Sequence, residues 1–171
     1  AIRETDRLSQ IVDALLALAR SAEGVAPLVD VDLVAVVQDR IATWSPLADE
    51  RAVRLAARGP KVAHALAMRG AVEQILDNLL SNALDVAPDG SSIDVIVTVH
   101  PDQITLAVID RGPGMTDAEL ARAFNRFWTT GGTGLGLAIV RRLAEASRAT
   151  ATARRALAGG LEVTLTFRRA R

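Results

Sequence analysis

Two apolar runs set back to back constrain this chain more than any other feature. Ile93–Val99 alternates as a strand, Pro101-Asp102 turns the chain, and Ile104–Ile109 is β-branched and apolar. Such runs, bounded by turn residues, predict two buried strands that together need a partner layer. That layer is legible just upstream. Over residues 69–86, Val72, Ile75, Leu76, Leu79, Leu80 and Ala83 recur at helical spacing and form one core-facing stripe. A sheet face and a helix stripe that must cover each other predict one domain of roughly five or six strands and three helices, plus a leading helix.

The second strand runs into Asp110-Arg111-Gly112-Pro113-Gly114. A carboxylate at the end of a buried strand is costly unless hydrogen-bond donors reach it. The glycines that follow relieve crowding and let a flat group approach the backbone. An adenine ring meets both conditions, since its exocyclic amine donates to a carboxylate and its faces need apolar walls. The same residues also make an ordinary strand-ending turn.

Three other stretches carry comparable double readings. Asn78 and Asn82 stand four apart, stacked on one face of the 69–86 helix beside its apolar stripe. Asparagine is a poor helix-interior residue because its amide competes for backbone hydrogen bonds. The pair is either a set of polar core plugs or a source of amide oxygens for Mg²⁺ beside a polyphosphate. Gly132, Gly134 and Gly136 open onto a helix bearing Leu137, Ile139, Val140 and Leu143. Free N–H groups at such a helix start suit phosphate, and a flexible hinge suits the same glycines. No strand precedes this turn and no Gly-Lys-Ser/Thr follows it, so neither a dinucleotide fingerprint nor a P-loop is present. Lys61 is the only lysine. Phe124 and Phe127, three apart, read as core or as the anchor of a mobile loop.

The remaining segments fill in the frame. Residues 1–20 hold Leu8, Ile11, Leu15 and Leu18 as a stripe on a helix that needs a partner helix, and Ser21 to Pro27 reads as a linker. The first residues already sit mid-pattern, so the sequence reads as cut from something longer. Leu28–Val31 reads as a strand, and Asp32 as the N-cap of a helix to about Glu50, kinked or broken at Pro46. Residues 53–57 and 62–67 read as strand, turn and strand. Thr116 and Glu119 have capping-box spacing. Ala149–Arg155 and Leu161–Arg168 read as closing strands joined across Gly159-Gly160.

Composition excludes several chemistries. Lys+Arg and Asp+Glu both number 20, so no net field steers the chain to nucleic acid or membrane. Aromatic residues make up 3%, too few for a base-stacking surface. Without cysteine there is no disulfide, thiolate metal site or thiol nucleophile. His64 and His100 both fall in strand-like runs and read as strand histidines rather than ligands.

In order, Asn-x3-Asn on a helix, D-x-G-x-G after a strand, F-x-x-F, and G-x-G-x-G into a helix resemble the N, G1, F and G2 boxes of the catalytic ATP-binding domain of sensor histidine kinases. The wider family is the GHKL ATPases, with gyrase, MutL and the heat-shock chaperone ATPase as relatives. The resemblance implies an α+β two-layer sandwich of Bergerat type, a mixed sheet of about five strands packed on three helices, over residues 28–171, with residues 1–23 as the second helix of the dimerisation hairpin. It implies that Asp110 holds the adenine amine while Gly112 and Gly114 shape the pocket wall. Asn82 would be the main Mg²⁺ ligand, with Asn78 nearby. Gly132, Thr133, Gly134, Leu135 and Gly136 would lie along the phosphates, and Phe127 would open the ATP lid. The implied reaction passes the ATP γ-phosphoryl group to a histidine on the hairpin. Implied partners are that phosphoacceptor helix, a dimer mate and a response regulator, in the cytoplasmic part of a membrane-anchored sensor.

Four departures stand against a routine assignment. Asp85 occupies the position where a basic residue is usual, and Val86 replaces a common aromatic. The lid, Phe127 to Gly132, is short, and neither histidine sits in a helical hairpin. The alternatives are therefore a degenerate nucleotide-binding module without phosphotransfer, or another GHKL serine kinase or ATPase.

Overall fold

The computed structural model describes residues 27–125 and 136–170. The predicted leading helix (residues 1–23) and lid (residues 127–132) lie outside them. The described elements are β1 (Leu28–Asp32), α1 (Leu33–Glu50), β2 (Arg54–Arg58), β3 (His64–Met68), α2 (Ala71–Val86), β4 (Ser92–Val99), β5 (Gln103–Ile109), α3 (Asp117–Leu120), α4 (Gly136–Ala146), β6 (Thr150–Arg155) and β7 (Leu161–Arg169).

All seven strands join one sheet in the order β1-β3-β7-β5-β4-β2, with β6 also on β7. Since β5 pairs with β7 from Glu162 to Arg168, β6 and β3 share the other edge of β7. Every pairing is antiparallel except β2 with β4, so the sheet is mixed. The sheet has seven strands rather than about five, because every segment read as a strand joins it, the short β1 and β2 at its margins included.

Alternation along the central strands sets the layers. Ile93, Val95, Ile104, Leu106, Val108, Val163, Leu165 and Phe167 are buried with the apolar faces of α1, α2 and α4. Ile96, Ala107 and Ile109, at the intervening positions, stay outside that core. Successive strand residues point to opposite faces, so one face of the sheet is helix-covered and the other is not. Every residue of the predicted α2 stripe is buried. Full burial of a leucine or isoleucine contributes roughly 1.5–3 kcal/mol, so this stripe holds the two layers together.

Local chemistry explains the element ends. The Asp32 carboxylate accepts from Val34 N–H (3.0 Å) and from Ala63 N–H (3.1 Å), while Leu33 N–H donates to the Ala63 carbonyl (2.8 Å). These bonds tie residue 63 to the start of α1 and draw β3 against β1. Consequently β2 and β3, although joined by a short turn, do not pair with each other and occupy separate parts of the sheet. Pro46 lies inside a continuous α1 rather than ending it. The Thr116–Glu119 capping box forms in full.

Candidate functional site

Asp110 leaves the end of β5 and is held by the β6–β7 turn. Its N–H donates to the Leu161 carbonyl (3.0 Å). Its Oδ1 accepts from Gly112 N–H (2.8 Å) and Leu161 N–H (3.1 Å). Among the described residues Oδ2 has no hydrogen-bond partner. The residue is 6% exposed. That burial pushes its carboxyl pKa above the usual aspartate value, against the pull of the two N–H donors and of Arg111. The result is a carboxylate fixed through one oxygen, with the other left as an acceptor among the described residues.

Glycines at this loop are required by contact. A Cβ on Gly112 would lie 2.7 Å from Cγ2 of Val86, so the loop presses against the C-terminal turn of α2. Gly114 and Gly160 both adopt positive φ, +70° and +90°, and a Cβ on Gly114 would lie 2.9 Å from the Gly160 carbonyl oxygen. A Cβ on Gly160 would strike Asp110 itself, 2.7 Å from Oδ1. Gly160 is thus the floor beneath the carboxylate, a role that the Gly159-Gly160 pair, read as a simple turn, did not announce.

The other wall is α2. Asn82 is exposed and faces the first residue of α4: a Cβ on Gly136 would lie 2.7 Å from Asn82 Nδ2 and 3.0 Å from Oδ1. Asn78 donates Nδ2 to the Gln74 carbonyl of its own helix (2.8 Å), which leaves its oxygen as an acceptor. Among the described residues no group of three or more His, Asp or Glu could hold a metal. A cation here would rest on amide oxygen and the ligand's own oxygens, a donor set that suits a hard ion carried in with a polyphosphate.

Asp85 is not unaccompanied. Arg51, at the C-cap of α1, donates Nη1 to the Leu84 carbonyl (3.0 Å) and to Asp85 Oδ1 (3.3 Å). Both side chains reach solvent, so the pair contributes little to stability, but it places a guanidinium beside the acid. Val86, 44% exposed, stands beside Gly112 as an apolar surface in place of an aromatic one. Phe124 packs on the core. Phe127, Gly132, Thr133, Gly134 and Leu135 lie outside the described residues. His64 pairs with Asp30 (2.8 Å) on the β1–β3 margin. His100 lies just past β4 rather than within a strand, its N–H donating to the Gln103 carbonyl (2.8 Å). An open cavity lined by Leu66, Pro101, Asp102, Arg168, Arg169 and Ala170 sits at the far end of β5 and β7 from Asp110 and shares no residue with this site.

α2 thus meets the Asp110 loop where Val86 packs on Gly112, and meets the start of α4 where Asn82 packs on Gly136. Residues 68–171 match the family described as histidine kinase-, DNA gyrase B-, and HSP90-like ATPase. The chain belongs to this family. Among its members the similarity runs to sensor kinases. The sensor protein IrlS of Burkholderia pseudomallei is 37% identical over 155 residues, covering 85% of this chain and 33% of that protein. Full-length ShkA, solved in complex with AMPPNP, overlays at TM-score 0.82 with 29% identity, covering 98% of this chain and 37% of that one. The nucleotide-free catalytic domain of histidine kinase ThkA overlays at TM-score 0.77 with 19% identity, over 83% of this chain and 97% of that domain. The fold is therefore that of a catalytic ATP-binding domain of sensor histidine kinases. The chain spans about a third of the length of the IrlS relative. No described helix is long and apolar enough to cross a membrane.

Proposed function

We propose that ATP binds between the Asp110 loop and α2, with the adenine amine donating to Asp110 Oδ2. Gly112, Gly114 and Val86 form the wall along the purine, and Asn82 supplies an amide oxygen to Mg²⁺, with Asn78 close by. Gly132, Thr133, Gly134, Leu135 and Gly136 line the phosphates, and the segment from Phe127 closes over them. When bound, Mg²⁺ supplies charge neutralisation to the β- and γ-phosphates. The observation that carries this reading is the asymmetry of Asp110: two backbone N–H groups occupy one oxygen and, among the described residues, none reaches the other.

The whole protein to which this chain belongs is read as a sensor kinase. It transfers the γ-phosphoryl group to a histidine on a dimerisation helix, with residues 1–23 as part of that hairpin and residues 28–171 as the catalytic domain. Its partners are the dimer mate and a response regulator, and the domain works on the cytoplasmic side of a membrane-anchored protein. Asp85 favours a second reading, a nucleotide-binding module without phosphotransfer. The Arg51 guanidinium beside Asp85 offsets its charge and supports the kinase reading.

The test joins binding to chemistry. Titration calorimetry with ADP and Mg²⁺ should give saturable heat, and the protein with its upstream phosphoacceptor helix should form acid-labile phosphohistidine from labelled ATP. Heat without labelling selects the second reading, and no heat at millimolar nucleotide rejects both.

A further inference from the structure

Asp94 is a buried carboxylate near the start of β4, where its neighbours Ile93 and Val95 are fully buried apolar residues. It is 5% exposed, and among the described residues its Oδ1 has no hydrogen-bond partner. Arg58 reaches Oδ1 only at 3.6 Å, from a side chain that is 68% exposed. Burying a carboxylate with one oxygen unsatisfied is expensive, and a β-branched residue would suit this position better for stability alone.

Its one hydrogen bond explains what the residue does. Oδ2 accepts from Arg111 Nη2 at 2.9 Å, and Arg111 directly follows Asp110. Asp94 lies opposite Ile109 in the β4–β5 register. Because strand residues alternate between faces, Ile109 and Arg111 fall on the helix-free face and Asp110 falls on the face covered by α2. A long side chain reaches the diagonal cross-strand neighbour, and Arg111 does so here. The ion pair therefore anchors the residue after Asp110 on the helix-free side just where the strand ends and pairing can no longer fix it. On the other flank of Ile109 its register partner is Glu162 of β7, whose carboxylate pairs with Arg154 of β6 (2.7 Å) and not with β5.

We propose that Asp94 is a positioning residue for purine selectivity: by anchoring Arg111 on the helix-free face, it holds Asp110 on the helix-covered face with Oδ2 presented to the exocyclic amine. This rests on the ATP site proposed above. The pair touches no ligand and acts only through the direction of the Asp110 carboxylate.

The test compares ATP with inosine triphosphate, which carries a carbonyl oxygen in place of the amine, on the 171-residue chain. Wild type should prefer ATP by roughly tenfold or more, the factor for one hydrogen bond to a charged group. Asp110→Asn should abolish the preference. The double variant Asp94→Val/Arg111→Leu removes both charges together, so no orphan charge stays buried, and its melting temperature should stay close to wild type. Its preference should fall below threefold, while Asp94→Asn, which keeps an oxygen for Arg111, should retain most of it. A folded double variant with the wild-type preference overturns the role of Asp94. Should the double variant not fold, Arg111→Met decides on the same two outcomes. If wild type itself binds both nucleotides alike, the ATP site and the inference fall together; if only Asp110→Asn loses the preference, the site stands and the inference falls.

Discussion

Replacing Asp110 by asparagine separates the binding role of this carboxylate from its structural one. Asparagine Oδ1 can still accept from Gly112 N–H and Leu161 N–H, bonds of 2.8 and 3.1 Å, so the loop keeps its shape. The group in the place of Oδ2 becomes an NH₂ donor that meets the donor amine of adenine. Losing a hydrogen bond to a charged group costs about 1.5–3 kcal/mol, or roughly 10- to 150-fold in affinity. Stability should move the other way. Burial raises the Asp110 pKa, so its favourable contribution is complete only below the usual aspartate value and is lost as pH rises through the raised one. At neutral pH the folded wild type carries the cost of a buried charge, and asparagine removes it. Calorimetry with ADP and a parallel thermal melt measure both quantities. The expected result is at least tenfold weaker binding with an equal or higher melting temperature. Binding within twofold of wild type, or a collapse in stability that accounts for the lost binding, would refute the reasoning.

The same shift gives a pH signature: ADP affinity should fall on acidification at a pH above that of an ordinary aspartate, and Asp110→Asn should lack that limb. Asn82→Ala removes an exposed side chain, so stability should stay within about 0.5 kcal/mol. The enhancement of ADP binding by Mg²⁺ should drop by roughly tenfold, about 1.4 kcal/mol, read by titration with and without the metal. Gly160→Ala forces a side chain into a φ of +90° against the Asp110 backbone, and should destabilise by more than about 2 kcal/mol in chemical denaturation while weakening nucleotide binding.

What the sequence disclosed follows the range over which the physics acts. The β4 and β5 runs, the α2 stripe, the Asp32 cap and the Thr116–Glu119 box are local patterns, and each forms where it was expected. Partnerships between distant segments were not legible. Nothing in residues 53–67 says that Ala63 will bind the start of α1 and send β3 to β1 rather than to β2. Individually ambiguous motifs gained meaning from packing, since Val86 sits on Gly112 and Asn82 on Gly136 only once α2 lies across the sheet. Gly160 and Leu161 escaped notice because their part is played by backbone atoms, which carry no residue signature. Asp94 was hidden inside an apolar strand pattern that it interrupts, and that interruption was the one available signal.

The central claim is that a purine lies against Asp110 while its phosphates reach the asparagine-bearing helix. A crystal structure of the chain with a non-hydrolysable ATP analogue and Mg²⁺ tests it most directly. The account predicts the purine amine within hydrogen-bond distance of Asp110 Oδ2 and the metal on the amide oxygen of Asn82. A nucleotide bound elsewhere, or one whose purine amine points away from Asp110, would contradict it.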